Sequence, residues 1–396
     1  MMPPMIGPDW DGDERDGRAS ADGPRRCAVV TGTRAEFGLL RPVMHAIAAR
    51  DDLELLVIAA GSHLVSPALT FRDVKAEFDI TDSVPMQTAG RVGRWADVES
   101  LSKGVARFGR SFEGHKPDWV VVLGDRIEAL AAATAASVGG VALAHIHGGD
   151  RAEGVADEAM RHAITKLAHL HLPATETSAE RIIRMGERPE DVRVVGSPAI
   201  DGLTGVEPIG DDRWRELGEP EVVVLFHPVG RPDEAEEHAA SLVLDALGDA
   251  RVLALHPNLD PGRGGIMRAL LAAGPAVSLV EHMPRDQFVG LLKRLGRSGG
   301  AMVGNSSAGL IEAAALGCPS VDVGQRQAGR ERADGATWWA GEDAAAVREA
   351  LAHARAAAPF EGPHPFGLGD AGPRVAEALA TQDPHDERRL RKRCVF

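Results

Sequence analysis

Short apolar runs alternate with helical periodicity along most of the chain. Apolar runs of four to eight residues bounded by Gly, Pro or polar residues are typical of buried strands, and the amphipathic segments between them are typical of crossover helices. This alternation predicts an α/β fold with doubly wound parallel sheets. In the first half, the strand candidates are 27–32, 53–60, 119–124, 141–147, 170–174 and 192–196.

A passage rich in Gly, Pro and Asp at 201–215 reads as a linker, and a second set of apolar runs follows it. These strand candidates are 221–227, 251–257, 276–281, 300–305 and 318–324, with helices predicted over 342–358 and 371–381. A chain of 396 residues exceeds one ordinary core, so two domains are expected. The predicted divisions are a disordered leader over 1–25, an N-terminal domain over 26–200, a C-terminal domain over 201–365, and a closing helix with a solvated basic tail over 366–396.

Composition narrows the class of protein. Hydrophobic residues make up 44% and charged residues 26%, as in soluble globular proteins, and no apolar run approaches the length of a membrane helix. The net charge of −14 argues against a nucleic-acid partner. Three cysteines without metal-like spacing, and a start without an apolar signal core, favour a reducing, cytoplasmic location.

Polar residues follow the predicted strands of the first half. Gly32 and Arg34 open a helix in "VVTGTRAEFGLL", where the guanidinium suits phosphate oxygens; the plain alternative is a turn glycine and a surface arginine. The absence of G-x-G-x-x-G disfavours a dinucleotide cofactor. Asp125 ends the run "VVVLGD", where it either points into a cleft or caps the next helix.

The segment 143–176 is the densest in ionisable groups. His145 and His147 are two residues apart on a predicted strand, so they are expected on one face, and Asp150 and Asp157 follow. A metal site lacks a clean third ligand spacing, so no metal is predicted. Acid/base groups for proton transfer and buried histidines bonded to the backbone remain the alternatives, and the number of ionisable groups favours the first.

The second half places its polar residues at a helix start. Ser306 and Ser307 follow a predicted strand, where they either cap the helix or hold a phosphate on its free N–H groups. Two His-Pro dipeptides at strand ends belong to the same half. Glu312 lies one and a half turns further on, where a carboxylate can accept both hydroxyls of a ribose. The loop 324–335 carries Arg326, Arg330 and Arg332, which would neutralise a leaving diphosphate or form a solvated loop.

These motifs, taken in order from about residue 27 to about 335, resemble the hydrolysing UDP-N-acetylglucosamine 2-epimerases. The resemblance rests on "TGTRAEFGLL", "LGDRIEALAAATAA", "AHIHGGD…DEAMRHAITKLAHLH", "VVGSPAID", "FHPV", "HPNLDPG", "MPRDQF", "GNSSAGLIEA" and "GQRQAGR". It implies a GT-B architecture, two Rossmann-like domains facing across a cleft, with UDP held mainly by the C-terminal domain. It implies no cofactor and no metal, and a homodimer or higher homo-oligomer.

The resemblance also implies the chemistry. UDP leaves by anti elimination across C1–C2 to give a 2-acetamidoglucal, and water then adds to release the free 2-epimer. Asp125 and Asp157 match the family's acid/base carboxylates. His147 stands where some members carry a glutamate, so proton transfer passes to His147, to Asp150 or to Glu153, or the substrate differs.

The nucleotide-side residues carry over in the same way. Ser306 and Ser307 match the diphosphate-binding serines, Glu312 matches the ribose ligand, and His282 lies near the expected uracil. The remaining expected nucleotide contacts are Arg34, His227, Asn258 and Arg330.

Three other functions share these motifs. A GT-B glycosyltransferase would bind the same donor, a non-hydrolysing 2-epimerase would return the nucleotide sugar, and a sensor would bind without turnover. The expected substrate is a UDP-2-acetamido sugar, with UDP-N-acetylglucosamine first and a 2,4-diacetamido-6-deoxy sugar also compatible. The expected product of the former is N-acetylmannosamine.

Overall fold

The computed structural model describes residues 23–395, except 67, 92, 152–157 and 259. Nearly all of the predicted leader 1–25, and the candidate Asp157, therefore lie outside the described residues. Within the described part of the chain, two six-stranded parallel sheets account for the strands, and helices alternate with them.

The first sheet has the strand order β3-β2-β1-β4-β5-β6. Its strands are β1 Arg25–Thr31, β2 Leu53–Ala60, β3 Ile80–Val84, β4 Trp119–Leu123, β5 Ala142–Ile146 and β6 Leu170–Leu172. The helices between and after them are α1 Arg34–Ala48, α2 Phe71–Lys75, α3 Arg94–His115, α4 Ile127–Val138, α5 Glu158–Leu167 and α6 Glu176–Arg184. Strand β4, WVVVL, is buried along its whole length, as expected of a strand covered on both faces.

The second sheet has the order β12-β11-β10-β7-β8-β9. Its strands are β7 Val222–Leu225, β8 Val252–Leu255, β9 Val277–Val280, β10 Ala301–Gly304, β11 Ser320–Val323 and β12 Thr337–Ala340. Its helices are α7 Asp211–Glu216, α8 Asp233–Leu247, α9 Arg263–Ala272, α10 Arg285–Arg297, α11 Ser307–Leu310, α12 Glu312–Ala315 and α13 Ala344–Ala356. Each sheet has the Rossmann order 3-2-1-4-5-6, which confirms two doubly wound domains.

Short 3₁₀ helices complete the connections. They are Gly61–Leu64, Pro189–Asp191, Pro198–Ile200, Leu203–Gly205 and Gly274–Ala276. The predicted linker 201–215 is thus partly regular, since it contains one of them and most of α7. In the described part of the chain, no helix combines the length and the apolar character that crossing a membrane requires.

The end of the chain returns to the first domain. Helix α14, Ala371–Thr381, follows the second sheet, yet Val375 and Leu379 belong to the core formed with α1. The Trp119 indole N–H donates to the Leu379 carbonyl at 3.1 Å. The helix predicted at 371–381 is confirmed, and it closes the first domain.

The basic tail is solvated only in part: Arg388, Arg391 and Arg393 are exposed as predicted, whereas Arg389 is buried and Lys392 is half-buried. After α15, Glu387–Leu390, the Lys392 ammonium lies 2.7 Å from the Glu187 carboxylate and the Arg389 guanidinium lies 2.9 Å from that of Asp191. Both carboxylates are buried, and a buried charge without a partner is costly. The tail therefore docks because it neutralises acids beside β6.

The strand predicted at 192–196 is wrong, and Pro173 explains why. The Arg193 and Val195 N–H groups donate to the carbonyls of His171 and Pro173 at 2.9 and 3.0 Å, as a strand beside β6 would. Pro173 has no N–H to return a bond, so only an isolated bridge between His171 and Val192 remains.

Two edge strands were not predicted from the sequence. Strand β3 reads ITDSV and is only partly buried, and β12 reads TWWA with one exposed residue. These two edge strands lack the continuous apolar run by which the central strands, and the other two edge strands β6 and β9, are recognised.

Strand order reverses between β1 and β4 in the first sheet and between β7 and β10 in the second. Ligands of doubly wound folds bind beyond the carboxyl ends of strands at such reversal points. Asp125 follows β4 and the Ser306–Ser307 pair follows β10, so the candidate residues stand at both reversal points.

Candidate active site

Asp125 is held by an arginine from α5. Gly124 turns the chain after β4, and the Asp125 carboxylate pairs with Nη2 of Arg161. The same guanidinium donates through Nη1 to the His147 carbonyl at 2.9 Å. The Arg161 side chain is 6% exposed and that of Asp125 is 17% exposed, so Asp125 is the more accessible of the two. Arg161 thus fixes the ends of β4 and β5 to each other.

His147 leaves strand β5 in a strained conformation. The strand ends at Ile146, and His147 has φ +59°, a left-handed value that a residue with a Cβ adopts at a cost. Its Nδ1 lies 2.7 Å from Asp150 Oδ2, and its Nε2 lies 3.0 Å from Ser197 Oγ. Both ring nitrogens are therefore engaged within the protein.

Asp150 is an ionised carboxylate in a buried setting. Its Oδ1 accepts from the Ser178 hydroxyl at 2.8 Å while Oδ2 faces His147. Burial alone would raise its pKa, but the His147 charge and hydrogen bond, with Arg330 and Arg161, hold the pKa well below the ordinary range. Because the carboxylate only accepts, the His147 Nδ1 proton donates to it.

Ser197, His147 and Asp150 have the hydrogen-bond order of a catalytic triad, yet the chemistry differs. Ser197 is fully buried, and its Oγ also accepts from the Ala199 N–H at 3.3 Å while capping a 3₁₀ turn. A nucleophile must reach substrate. We therefore assign Ser197 to holding the imidazole.

His145 is a buried structural histidine. Its Nε2 donates to the Gly124 carbonyl at 2.8 Å, and burial lowers its pKa to about 3, so the ring is neutral at physiological pH. The alternative of a core histidine bonded to the backbone is thus the correct one for His145. Among the described residues, no group of three or more His, Cys, Asp or Glu is arranged to hold a metal ion.

The second domain presents its helix start through a tight strand contact. A Cβ on Gly304, at φ +151°, would lie 2.1 Å from the Leu225 carbonyl oxygen, so only glycine lets β10 approach β7 this closely. The next residue, Asn305, accepts from the His227 N–H and donates to its carbonyl, both at 2.7 Å. These contacts lock the two strand ends together.

His227 offers a donor at this edge. Burial, with the charge of Arg326, lowers its pKa to about 3, and Nδ1 accepts from the Asn258 N–H at 3.1 Å. The neutral ring therefore carries its proton on Nε2, which is suited to a phosphate or hydroxyl oxygen. The Asn258 side chain itself donates to Asp260 at 2.5 Å.

The helical segment that follows Ser306 is interrupted at Ile311. Ser306 caps α11, its Oγ accepting from the Ala308 N–H at 3.3 Å, and Ser307 is half-buried at the first helical position. The backbone breaks at Ile311, so α11 and α12 have four residues each. The site therefore depends on free N–H groups and hydroxyls more than on a long helix dipole.

Glu312 opens α12, buried and already paired. Arg285 Nη1 lies 3.3 Å from Glu312 Oε1, and Nη2 of the same guanidinium donates to the Ala199 carbonyl of the first domain's last 3₁₀ turn. Arg285 thus ties the candidate ribose ligand to the other domain.

The loop after β11 connects the helix start to the acids. The Asn305 carbonyl accepts from Arg326 Nη1 at 3.1 Å and from Gln327 Nε2 at 2.9 Å. Gln327 Oε1 accepts from Arg330 Nη1 at 2.9 Å. Burial lowers the pKa of Arg330, which interacts electrostatically with Asp150 and Asp125. The charges of Asp150 and Asp125 in the first domain therefore act on Arg330, which contacts Gln327 of its own loop.

The other charged candidates, Arg332, Arg34 and His282, are not part of the contacts that link Arg330 to the helix start. Arg332 pairs with the buried Asp322 at 3.0 Å through Nε, a structural contact. Arg34 begins α1, half-solvated, with Nε 3.5 Å from Asp73. Partial burial and the Arg34 guanidinium lower the pKa of His282. The Arg34 charge of the first domain thus acts on His282 of the second.

The structure adds partners that the sequence interpretation left without a role. They are Arg161, Ser178, Arg181, Ser197, Arg285 and Gln327. Several lie in motifs already quoted, such as "DEAMRH", "VVGSPAID" and "MPRDQF". Their presence in these motifs could have identified them from the sequence, but the sequence does not show which group each side chain contacts.

Glu36 shapes the loop after β1. Thr33 caps α1, and the Glu36 carboxylate accepts from the Gly32 N–H at 2.6 Å, as a variant of the capping box. Burial outweighs that hydrogen bond, and with repulsion from Glu128 it raises the pKa of Glu36 to about 8. Glu36 is therefore mostly protonated at neutral pH.

Glu36→Gln should remove a pH-dependent loss of stability. An acid whose native pKa is raised destabilises the fold as pH rises from its unfolded pKa, roughly 4.3, through the native pKa, by about 5 kcal/mol in all. The thermal midpoints of variant and wild type, followed from pH 5 to pH 9, should diverge in favour of the variant. The exposed Glu180→Gln is the control, and curves that stay parallel for Glu36→Gln would refute the assignment.

Two Rossmann-like domains, with acids at one reversal point and a serine-capped helix start at the other, define a GT-B architecture. The family profile described as UDP-N-acetylglucosamine 2-epimerase matches residues 45–380. The chain belongs to this family.

Individual relatives agree. The chain is 36% identical over 328 residues to the hydrolysing UDP-N,N'-diacetylbacillosamine 2-epimerase of Legionella pneumophila, covering 78% of this chain and 84% of that one. It is 31% identical to the UDP-N-acetylglucosamine 2-epimerase of Neisseria meningitidis, covering 77% and 81%.

Solved structures share the fold. The UDP-GlcNAc 2-epimerase of Methanocaldococcus jannaschii, in complex with UDP-GlcNAc and UDP, superposes with a TM-score of 0.75 at 18% identity, covering 90% of this chain and all of that one. The Neisseria meningitidis enzyme bound to UDP-GlcNAc gives 0.75 at 19% identity, covering 90% and 100%. The GT-B architecture is thereby confirmed.

Proposed function

We propose that the protein is a hydrolysing 2-epimerase that converts a UDP-2-acetamido sugar into the free 2-epimer and UDP. The proposal is carried by one observation: the loop of Arg330, linked through Gln327 to the helix start, is bonded through Arg181 to the loop of Asp150, and the charges of Asp125 and Asp150 act on Arg330. A sugar attached to a diphosphate at that helix start would meet the acids across the cleft.

The reaction divides between the two domains. The C1–O bond breaks and its electron pair leaves with UDP, whose charge Arg330 and the Ser307 hydroxyl would stabilise. A base takes the C2 proton, giving the 2-acetamidoglucal, and water then adds a hydroxyl to C1 and a proton to the opposite face of C2.

Asp125 is the described carboxylate best suited to proton transfer, because it retains partial exposure. Asp150 is held ionised by His147 and Ser178, which makes it a weak base. His147 has both nitrogens engaged. We therefore assign His147 and Asp150 to positioning, with Asp157, outside the described residues, as the candidate second acid/base group.

The sugar is either N-acetylglucosamine or a 2,4-diacetamido-6-deoxy sugar. The Neisseria meningitidis relative is named for the first, and the Legionella pneumophila relative for the second. We propose the 2-acetamido group as the shared feature, because the elimination needs only C1 and C2. Because the chain is 36% identical to the Legionella protein, the UDP-diacetamido sugar should be assayed alongside UDP-N-acetylglucosamine.

The decisive assay mixes the protein with each UDP sugar in deuterated water and follows the products by NMR. Free 2-epimer carrying deuterium at C2, together with UDP, supports the proposal. Release of the 2-epimer still attached to UDP selects the non-hydrolysing reaction instead. If the UDP sugar stays intact alone and is consumed only after a sugar acceptor is added, the protein is a glycosyltransferase. If the UDP sugar binds and no turnover occurs under either condition, the protein is a sensor.

Ser307→Ala should weaken UDP binding about 10- to 100-fold, because a hydrogen bond to a charged group contributes roughly 1.5–3 kcal/mol. The Ser306 hydroxyl is engaged in capping, which leaves that of Ser307 for the diphosphate. Calorimetric titration with UDP measures the change, and Ser298→Ala, at the far end of α10, is the control. An unchanged dissociation constant would remove Ser307 from the diphosphate site.

A further inference from the structure

One arginine joins the two loops that carry Asp150 and Arg330. Arg181 lies in the last turn of α6, where Nη1 donates to the Gly149 carbonyl at 3.2 Å and Nη2 donates to the Gly329 carbonyl at 3.1 Å. Gly149 immediately precedes Asp150, and Gly329 immediately precedes Arg330. The guanidinium therefore bridges the two domains one residue away from each charged group.

The two accepting loops have fixed backbones at this bridge. Gly149 and Gly329 both have φ +75°, a left-handed conformation that glycine adopts without strain. A Cβ on Gly149 would lie 2.3 Å from the Ser178 carbonyl oxygen, so the loop is pressed against the first turn of α6. The carbonyls consequently point at Arg181 from both sides.

A continuous set of contacts runs from the helix start to this bridge. Gln327 bonds the Asn305 carbonyl at the helix start and accepts from Arg330, whose loop Arg181 holds. A planar guanidinium has donors for two acceptors at once, which a lysine ammonium on a flexible stem supplies less well.

We propose that Arg181 is a positioning residue that clamps the loop after β5, which carries Asp150, to the loop after β11, which carries Arg330, and so holds Asp150 and Arg330 in a fixed relation. Its effect on turnover rests on the proposed function, whereas the clamp itself does not. Arg181 sets the rate without contacting the nucleotide.

The plain alternative is a helix-terminal arginine that merely complements the helix dipole. Arg184 supplies the matched control, because it lies in the same last turn, is 80% exposed and pairs only with Glu180 of its own helix at 3.5 Å among the contacts described. A dipole role would make the two arginines equivalent.

The kinetic test compares Arg181→Met, Arg181→Lys and Arg184→Met. Arg181→Met should lower kcat about 10- to 100-fold, as expected when reacting groups are displaced by about 1 Å, while the UDP dissociation constant stays within threefold. Arg181→Lys should recover part of the loss, and Arg184→Met should match wild type. A kcat for Arg181→Met within twofold of wild type overturns the positioning role.

Hydrogen exchange tests the clamp independently of turnover. Arg181→Met should accelerate amide exchange about tenfold in peptides covering both 145–150 and 324–332, and Arg184→Met should not. Unchanged exchange in either segment overturns the clamp, whatever the kinetics. A wild type inactive on every UDP sugar, with exchange still raised in Arg181→Met, would refute the proposed function and leave the clamp standing.

Discussion

Asp125→Asn should lower kcat by about 10³-fold or more while UDP binds with nearly unchanged affinity. The amide keeps the size and can still accept from Arg161, but it cannot take or return a proton, and general acid/base groups contribute about 10²- to 10⁴-fold. UDP is expected on the other domain, so its dissociation constant should stay within several-fold. Steady-state kinetics and calorimetry on one preparation measure both quantities.

A carboxylate at the opposite end of the same strand controls for this change. Asp118 immediately precedes β4 and accepts from the Arg26 N–H at 2.8 Å, whereas Asp125 follows the strand. Asp118→Asn should leave kcat within about twofold. Deuterium incorporation at C2 should vanish in Asp125→Asn. Turnover above a tenth of the wild-type rate would exclude Asp125 as the base.

The central strands of both sheets follow from the sequence because burial on two faces leaves a continuous apolar run. Strand β2 occupies the predicted 53–60, and β4 and β10 lie within one or two residues of their predicted bounds. The pattern fails where that physical condition fails, at the half-buried edge strand β3 and beside Pro173. A half-polar edge strand such as β3 forms because of the strand beside it, and the local sequence pattern does not identify that neighbour.

The site divides in the same way. The strand-end positions of the site residues were predictable, because parallel strands bring their carboxyl ends to one edge of a sheet. Asp125 and His147 lie at that edge of the first sheet, and His227 lies at that edge of the second. The pairing of these groups was not. Arg161 reaches Asp125 across 36 residues and Ser197 reaches His147 across 50, distances over which local periodicity carries no information.

The role of His147 illustrates the difference. From the sequence, an imidazole in place of a glutamate leaves proton transfer to His147, Asp150 or Glu153, or indicates a different substrate. In the structure, Asp150 and Ser197 occupy both ring nitrogens, and the His147 carbonyl accepts from the arginine that holds Asp125. We therefore propose that His147 acts on the reaction through the placement of Asp125, and that Asp150 acts through His147.

Asp150→Asn tests that chain of contacts. The amide oxygen can accept from His147 and the amide nitrogen can donate to the Ser178 hydroxyl, so the hydrogen bonds survive and only the negative charge is lost. Removing one member of a buried charge pair costs roughly 3–5 kcal/mol. Because the native pKa of Asp150 is depressed, its stabilising contribution is present above about pH 4 and lost as pH falls below it.

We therefore expect Asp150→Asn to lower both the thermal midpoint at pH 7 and kcat, the latter by about 10²-fold, as for reacting groups displaced by about 1 Å. Asp201→Asn separates the two effects, because Asp201 accepts from the Ala371 and Gly372 N–H groups at the start of α14, away from the acids. That variant should lose stability and keep its kcat. If Asp150→Asn behaved like Asp201→Asn, with stability lost and turnover per folded molecule retained, the Asp150 charge would serve the fold alone.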